Sequence, residues 1–433
     1  MKHFLSLFLF LSSSELIYGS KICNILDYGA IGDGVTMNTE GIQAALDACA
    51  NDGELSDLNQ VVIPEEGVFL TGSVVMHSGQ ELYVESGGML LGSENEEDYP
   101  LIDILPSYGT GRDVDSDLRY RPLVFGENLT HVAVSGGGVI DGNGGLWWQK
   151  HFKHELKWSR PRLIEFMYSE DITVQYLTLQ NAAFWTVHPY ASSRILVQGL
   201  TVLAPGYAPN TDGVDPDSCK DVIIQDCYFS LGDDGVAIKS GYNEYGRDFA
   251  TPSENIYIRN ITIDPQFDNL STNGISIGSE MSGGVRNVTI EDVHIVGCEA
   301  GLYIKSDEGR GGFVEDISYR NIYLNRTLQA IKFVMHYSYR RKLGEVGKAH
   351  SPKYPFRTPE DETIPTFRNI HVRDVYGEFI AEAGVITGLE ESLMKNVSFS
   401  NVTLNGALGF YCQYAIGTYD NVSPSLDNCF VSL

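Results

Sequence analysis

Asn255-Ile-Tyr-Ile-Arg-Asn-Ile-Thr-Ile263 is one copy of a pattern that recurs along the chain from about residue 130. In each copy Asn, Asp or Arg precedes a short alternating apolar stretch, a polar or Gly break follows, and a second apolar stretch completes it. Alternation rich in Val, Ile, Thr and Tyr predicts strands, and the strands are too close together to leave room for crossover helices. Other copies include Asp171-Ile-Thr-Val-Gln-Tyr-Leu-Thr-Leu179 and Asp221-Val-Ile-Ile-Gln-Asp-Cys-Tyr-Phe229, and further copies begin at Asn287, Asp316, Asn369 and Asn396.

The spacing of the copies predicts a solenoid. Most are of the order of 22 to 35 residues apart, with one larger gap between Asp316 and Asn369, as in coils that carry loop insertions. In a parallel β-helix each strand pairs with the coils above and below, about 4.8 Å away, and inward Val, Ile and Leu form one core. A Greek-key sandwich would not need the pattern to repeat. We therefore predict an all-β chain folded as a right-handed parallel β-helix.

Segments without the repeat predict the end and the rims of the solenoid. The stretch from Asn38 to Ala50 has apolar residues at helical spacing, which predicts an N-terminal helix that caps the first coil. The polar stretches Glu94 to Pro122 and Tyr339 to Pro365 contain Pro, Gly and charges throughout. We interpret both as long loops that flank a groove.

The N-terminus and the composition indicate a secreted protein. Residues 1–20 combine a positively charged start, an apolar run and a small residue at Ser20, the pattern of a secretory signal peptide, and residues 21–433 are expected to form a single domain. No later segment is long and apolar enough to span a bilayer, and a net charge of -27 excludes a broad basic surface that binds nucleic acid. Eight Asn-x-Ser/Thr sequons fit glycosylation: Asn128, Asn260, Asn269, Asn287, Asn325, Asn396, Asn401 and Asn421.

The chain has seven cysteines, which allow at most three intramolecular disulfides, and secretion would permit them to form. Cys219 with Cys227 and Cys412 with Cys429 are the plausible local pairs. The other cysteines stay unassigned.

Short Gly-containing segments gather carboxylates at one point of the repeat. Alignment of Asn210-Thr-Asp-Gly213 with Gly232-Asp-Asp-Gly235 and the later copies places Asp212, Asp234, Asn273 and Ala300 in one column, each followed by Gly. Asp212 and Asp234 are 22 residues, or one coil, apart, so stacking would bring them within a few ångströms. Neighbours in a regular strand face opposite sides, so Asp233 can join them only if the chain turns or bulges at Gly232 or Gly235.

Three aspartates at this offset, with Lys239 and Lys305 in equivalent strands, favour chemistry over the simple turn that an isolated Asp-Gly usually marks. Clustered carboxylates repel one another, which raises the pKa of at least one of them. One can then stay protonated as a general acid while others stay ionised as bases. Glycoside hydrolysis requires this division of roles.

These residues resemble those of the polygalacturonase family, glycoside hydrolase family 28, and in particular its plant-type and exo-acting branches. The resemblance covers nearly the whole mature chain. It rests on Tyr28-Gly-Ala-Ile-Gly-Asp-Gly34, Gly136-Gly-Gly-Val-Ile-Asp-Gly-Asn143, Asn210-Thr-Asp-Gly213, Gly232-Asp-Asp234 and Gly278-Ser-Glu-Met-Ser-Gly-Gly284.

The resemblance implies an inverting hydrolase that cleaves α-1,4-galacturonosyl linkages in pectin. Asp233 would protonate the glycosidic oxygen while Asp212 and Asp234 activate a water, with acid and base carboxyls roughly 6.5 to 9.5 Å apart. Lys305 would bind a substrate carboxylate. We expect neither a metal nor another cofactor, and a monomer acting on a pectic polysaccharide.

Two residues depart from the pattern of many family members. Asn273 stands where they have His, and Tyr303 stands where they have an Arg that could grip a uronate with two hydrogen bonds. Trp185 aligns one coil before Asp212, where it could stack on a sugar or simply pack in the interior. The full set of candidate substrate-binding residues is Lys305, Lys239, Asn210, Asn273, Tyr303, His188 and Arg310.

Three alternatives stay open. A related pectic polymer such as rhamnogalacturonan could be the substrate, and a catalytically weakened solenoid could bind carbohydrate without cleaving it. A pectate lyase shares the solenoid and would hold Ca²⁺ at the aspartate cluster. The reaction product discriminates between hydrolysis and elimination.

Overall fold

The computed structural model describes residues 21–50, 58–110, 114, 116–265, 271–337, 363–427 and 429–430. The predicted signal segment 1–20, most of the predicted loop from Tyr339 to Pro365, and the sequon at Asn269 lie outside these residues. Within the described part, no helix is long and apolar enough to cross a membrane.

Strands dominate the described chain, with three short helices: α1 (Thr39–Ala48), α2 (Gly145–Phe152) and α3 (Asn243–Phe249). In chain order the first strands are β1 Ile22–Asn24, β2 Asp33–Met37, β3 Asn59–Ile63, β4 Gly67–Thr71, β5 Val74–Val75, β6 Gln80–Val84, β7 Gly88–Gly92, β8 Leu101–Asp103, β9 Leu118–Tyr120, β10 Val124–Glu127, β11 Thr130–Gly136 and β12 Val139–Asp141. The next are β13 Ile164–Met167, β14 Glu170–Gln175, β15 Thr178–Gln180, β16 Val187–Tyr190, β17 Ser193–Gln198, β18 Thr201–Leu203, β19 Lys220–Ser230, β20 Asp234–Ile238, β21 Ser253–Ile263, β22 Asn273–Ile277, β23 Val285–Val296 and β24 Ala300–Lys305. The last are β25 Phe313–Asn325, β26 Gln329–Val334, β27 Thr366–Glu378, β28 Glu382–Thr387, β29 Met394–Leu404, β30 Leu408–Gln413 and β31 Ala415–Ser423.

Each coil contributes one strand to a groove sheet and the rest to a wrapping sheet. The groove sheet consists of β5, β10, β13 and β16, then β20, β22, β24, β26, β28 and β30, joined through parallel bridges at Val214. The wrapping sheet contains nineteen strands, and among the described strands only β8 and β9 pair antiparallel. The fold is the predicted right-handed parallel β-helix.

Because the strands pair in parallel register, similar residues lie above one another in columns, and these columns form the core. Val222 pairs with Ile256, Ile256 with Val288, and Val288 with Ile317, and all four side chains are buried. Each side chain of this size contributes roughly 1.5–3 kcal/mol when it is fully buried. The repeated apolar pattern therefore becomes one continuous core along the solenoid axis.

Helix α1 confirms the predicted N-terminal cap. It buries Ile42, Ala45 and Leu46, which join the core at the first coil. A disulfide between Cys23 and Cys49 ties the end of the helix to β1. This pairing was not predicted, because the two cysteines meet only when the capping helix packs on the first coil.

The two predicted disulfides have different outcomes. Cys412 and Cys429 are bonded, as predicted. The predicted pairing of Cys219 with Cys227 is wrong, because both are free and buried. β19 lies between them, and a largely extended segment of eight residues does not bring its ends together.

Two ladders of Asn and Asp side chains follow the turns of the wrapping sheet. In the first, Asp221, Asn255 and Asn287 all have positive φ, a conformation that Asn and Asp tolerate. The Nδ2 of Asn255 donates to Oδ1 of Asp221 over 2.8 Å, and the Nδ2 of Asn287 donates to Oδ1 of Asn255 over 2.7 Å. Five sequon asparagines donate their amide in the ladders: Asn260, Asn287, Asn396, Asn401 and Asn421.

The ladders predict which sequons accept a glycan when the chain passes through a eukaryotic secretory pathway. Asn128 and Asn287 are both exposed, but only Asn287 donates its Nδ2 to the neighbouring coil. A glycan on that nitrogen would have to displace the hydrogen bond to Asn255, because neighbouring coils are only about 4.8 Å apart. We expect glycopeptide mass spectrometry to show high occupancy at Asn128 and little at Asn287 or Asn396. High occupancy at the ladder asparagines would contradict this expectation.

Candidate active site

A glycine in each coil directs the aspartates to the outer face of the groove sheet. A Cβ on Gly235 would lie 2.6 Å from Cδ1 of Ile263 in the core, and the next residue, Val236, is also a core residue. Two consecutive residues thus face inward, which breaks the alternation and leaves Asp234 on the outer side. Gly213 repeats this arrangement one coil earlier. The chain thus departs from a regular strand at both predicted positions, because Gly232 and Asp233 also form a bend just before β20.

Three aspartates converge on that face. Asp212, Asp233 and Asp234 each present an oxygen, and these oxygens all lie within 4.8 Å of one another. Oδ1 of Asp234 accepts a hydrogen bond from Nδ2 of Asn273 over 2.8 Å, and its Oδ2 accepts one from Nζ of Lys305 over 2.7 Å. Both oxygens of Asp234 are thus held by donors from the next two coils, β22 and β24.

Lys239 lies among carboxylates next to the aspartate cluster. Its Nζ is 3.4 Å from Oδ2 of Asp212, 3.3 Å from Oδ1 of Asp215 and 3.4 Å from Oε2 of Glu280. The side chain of Lys239 is only 2% exposed, and its Nζ lies 4.5 Å from the centre of the Trp185 ring. The structure therefore places Lys239 where it compensates buried negative charge and holds Asp212. Asp215 and Glu280 were not among the residues selected from the sequence.

The aspartates do not share one protonation preference. Burial raises the pKa of Asp233 well above its usual range, and the neighbouring charges of Asp212 and Asp234 raise it further. Burial also raises the pKa of Asp212, although Lys239 opposes that shift. Burial would lower the pKa of Lys239, but the carboxylates around it raise the value instead. A neutral Asp233 beside cation-bound carboxylates is the arrangement that acid–base catalysis requires.

His188 and Asn210 support the site from behind. His188 is fully buried, with Nδ1 2.7 Å from Oε1 of Glu165 and Nε2 3.4 Å from Oδ2 of Asp217. Asn210 accepts a hydrogen bond at Oδ1 from Nη2 of the buried Arg160 over 2.7 Å, which fixes the turn that leads into the aspartates. Both residues were predicted to bind substrate. In this structure their side chains bind other side chains of the protein instead.

Arg310 and Trp185 are similarly enclosed. Arg310 is 8% exposed and donates from Nε to the carbonyl of Ser279 over 3.0 Å and from Nη1 to Oδ1 of Asn243 over 2.6 Å. Trp185 is 1% exposed and stacks on Phe184 with ring centres 4.8 Å apart. For Trp185 this packing matches the second of the two interpretations given by the sequence.

One part of the first predicted long loop crosses the outer face of the groove sheet. We call residues 93–110 the crossing segment. The backbone N–H of Ser107 donates to the hydroxyl of Tyr190 over 3.2 Å, and the Tyr108 hydroxyl donates to Oδ2 of Asp217 over 2.5 Å. On the far side, the backbone N–H of Tyr242 donates to the carbonyl of Ser107 over 2.8 Å. The crossing segment therefore contacts the coil before Asp212 at Tyr190, the coil of Asp212 at Asp217, and the chain after β20 at Tyr242.

The three aspartate oxygens are close enough together to bind a cation by distance alone. Two ammonium groups already lie against them, because Lys305 is 2.7 Å from Asp234 and Lys239 is 3.4 Å from Asp212. A divalent ion would be repelled by both groups. The donor set therefore fits a calcium site poorly.

A profile of Glycosyl hydrolases family 28 matches residues 58–416 of the chain. The chain belongs to this family. A probable polygalacturonase of Vitis vinifera is 39% identical over 408 residues, which cover 93% of this chain and 79% of the relative. An endo-polygalacturonase of Pectobacterium carotovorum subsp. carotovorum is 30% identical over 322 residues, 71% of this chain and 73% of the relative.

Solved structures agree with this family assignment. A hyperthermoactive exopolygalacturonase from Thermotoga maritima superposes with a TM-score of 0.77 at 27% identity and covers 93% of this chain and 91% of its own. The fold, the family and the aspartate cluster together identify a glycoside hydrolase, as the sequence predicted.

The raised pKa of Asp233 predicts how stability depends on pH. The folded protein binds this proton more tightly than the unfolded chain, so the stabilisation is complete below the ordinary value of 3.8 and is lost as pH rises through the folded value. Asp233→Asn removes the penalty, so we expect its Tm near neutral pH to exceed that of wild type by about 2 °C or more. The difference should vanish in acid. Calorimetry with the exposed Asp420→Asn as control tests this, and a neutral-pH Tm below wild type would contradict it.

Proposed function

We propose that this protein hydrolyses α-1,4-galacturonosyl linkages of pectin from one end of the polymer. The observation that carries the proposal is the triad of Asp212, Asp233 and Asp234, in which a carboxyl with a raised pKa adjoins two carboxylates held by lysines. Family membership and the names of the relatives support the same substrate class.

In the proposed reaction, Asp233 gives its proton to the glycosidic oxygen as the bond between that oxygen and the anomeric carbon breaks. A water held by Asp212 and Asp234 attacks the anomeric carbon from the opposite face and loses a proton to one of these carboxylates. The sugar gains a hydroxyl and the leaving chain gains a proton. Lys305 neutralises Asp234 and lies at the edge of the sugar site.

The aspartate oxygens lie within 4.8 Å of one another, closer than the expected separation of roughly 6.5 to 9.5 Å for an inverting pair. We nevertheless propose inversion. Both oxygens of Asp234 already accept hydrogen bonds, from Asn273 and Lys305, which lowers its capacity to bond covalently to carbon. An oriented carboxylate that shares one water with Asp212 fits these contacts better than a nucleophile does.

Hydrolysis of polygalacturonate tests the proposal. We expect new reducing ends without absorbance from unsaturated products, no effect of EDTA, and a loss of at least about a hundredfold in kcat for Asp233→Asn, since a general acid contributes about 10² or more. NMR of the first product should show the β anomer, because inversion of an α linkage gives β. Calcium-dependent unsaturated product would establish a lyase instead, and an initial α anomer would establish retention.

We also propose that attack starts at a chain end. The support is the crossing segment, which lies across the groove sheet and binds Tyr190, Asp217 and Tyr242 through Ser107 and Tyr108. A polymer that lies along β22, β24 and β26 would meet this segment next to the catalytic aspartates. A groove closed at one end favours release of short products.

Product analysis separates this attack mode from random cleavage. We expect early digests of long polygalacturonate to contain mono- or digalacturonate, while viscosity falls slowly relative to the number of reducing ends formed. Internal cleavage would lower the viscosity sharply and give a ladder of oligomers, which would contradict end attack.

A related pectic polymer is the second candidate. Asn273 and Tyr303 replace the His and Arg of the resembling sequences. Asn273 binds Asp234 and Tyr303 lies against Lys305, so the sugar next to the cleaved bond is the part of the substrate most affected. Rhamnogalacturonan assayed beside polygalacturonate separates the two. Silence on both would favour a binding protein without catalysis.

We further propose that the protein is secreted and acts as a monomer. The first twenty residues and the sequons support secretion, and the three aspartates and both lysines of the site come from the same chain. The glycopeptide measurement on secreted protein, together with light scattering, checks both statements.

A further inference from the structure

The groove floor continues beyond the aspartates on the outer face of β24 and β26. Tyr303, in β24, stands where the resembling sequences carry an Arg. The residue paired with Tyr303 on the next coil is Lys332. The positively charged side chain that this coil lacks at Tyr303 is therefore supplied by Lys332 on the next coil.

Lys332 and Lys305 lie close to the same aromatic ring. Nζ of Lys332 is 4.5 Å from the centre of the Tyr303 ring, and Nζ of Lys305 is 5.0 Å from it. The three residues have nearly equal exposure, at 6%, 7% and 5% for Lys332, Lys305 and Tyr303. Lys332 is thus as accessible from the groove as the lysine that holds Asp234.

The two lysines differ in their carboxylate partners. Lys305 is bound to the buried Asp234 over 2.7 Å, and Asp234 is 1% exposed. Lys332 has its Nζ 3.2 Å from Oε1 of Glu299, whose side chain is 38% exposed. Glu299 can therefore turn into solvent when another carboxylate approaches Lys332, whereas Asp234 cannot leave Lys305 without losing its own compensation.

We propose that Lys332 binds the carboxylate of a galacturonate unit next to the cleavage point, with Tyr303 as the positioning residue for its ammonium group. This inference rests on the proposed function. The substrate carboxylate would displace Glu299 and form a charge-assisted hydrogen bond with Nζ. The Tyr303 ring fixes the ammonium through its π face. The site would therefore discriminate a free uronate from its methyl ester.

Binding measurements in an Asp233→Asn background test the site without turnover. The probes are trigalacturonate and its methyl ester, titrated by calorimetry into the full chain. Lys332→Met should weaken binding of the free acid about tenfold or more while changing binding of the ester much less. Lys332→Arg should keep most of the affinity for the acid. Glu299→Gln should strengthen binding of the acid, because it removes the competing carboxylate.

Controls separate a binding role from a structural one. Lys220→Met removes a lysine that also pairs with a glutamate, Glu254 at 3.4 Å, but on the wrapping sheet, and it should change neither affinity. Equal losses for acid and ester in Lys332→Met would overturn the proposal and make Lys332 a structural residue. Failure of the background variant to bind trigalacturonate at all would overturn the proposed function as well.

Discussion

Parallel strand register is the constraint on which the rest of this structure depends. Pairing between successive coils turns a distance of 22 residues along the chain, from Asp212 to Asp234, into the spacing of two neighbouring strands. The same register continues through Asn273 and places its amide on Asp234. Asp234 and Asn273 are not carried on mobile loops, because hydrogen bonds between the backbones of paired strands fix their positions. Precision at the site thus comes from the same hydrogen bonds that hold the solenoid together.

Charge burial is the cost that accompanies this geometry. Asp212, Asp215 and Asp234 are all at most 3% exposed, and isolated carboxylates at such depth are strongly unfavourable. Lys239 and Lys305 offset that cost from adjacent coils. Asp233 lacks an ion pair of this kind among the contacts described, and its pKa is raised by burial and by its neighbours. Stability and catalysis are therefore coupled, because the burial that would make Asp233 a proton donor also costs free energy of folding.

The groove is asymmetric along the solenoid axis. On the coils before the aspartates, the crossing segment packs Leu105 and Tyr108 against Phe125, Tyr190 and neighbouring aromatic rings. After the aspartates, the described part of the groove floor carries Tyr303 and Lys332 on successive coils. The polar network of His188, Glu165 and Asp217 lies beneath the covered part, which explains why these titratable groups are enclosed. The covering segment and the floor together decide which part of a polymer can reach Asp233.

The sequence by itself determined the solenoid, the cap, and the aspartate cluster, because a repeat with period-two alternation leaves one arrangement that buries every copy. It also predicted an irregularity at Gly232 or Gly235, since two adjacent aspartates cannot share a face of a regular strand. Only the tertiary structure decided which cysteines meet, because β19 holds Cys219 and Cys227 apart while the docked cap brings Cys23 to Cys49. Only the tertiary structure decided that Asp215 and Glu280 enclose Lys239 and that His188 is buried. It also decided that Lys332 pairs with Tyr303 on the next coil. These contacts join residues from different coils and loops, and local patterns carry no information about how far an inserted segment folds back.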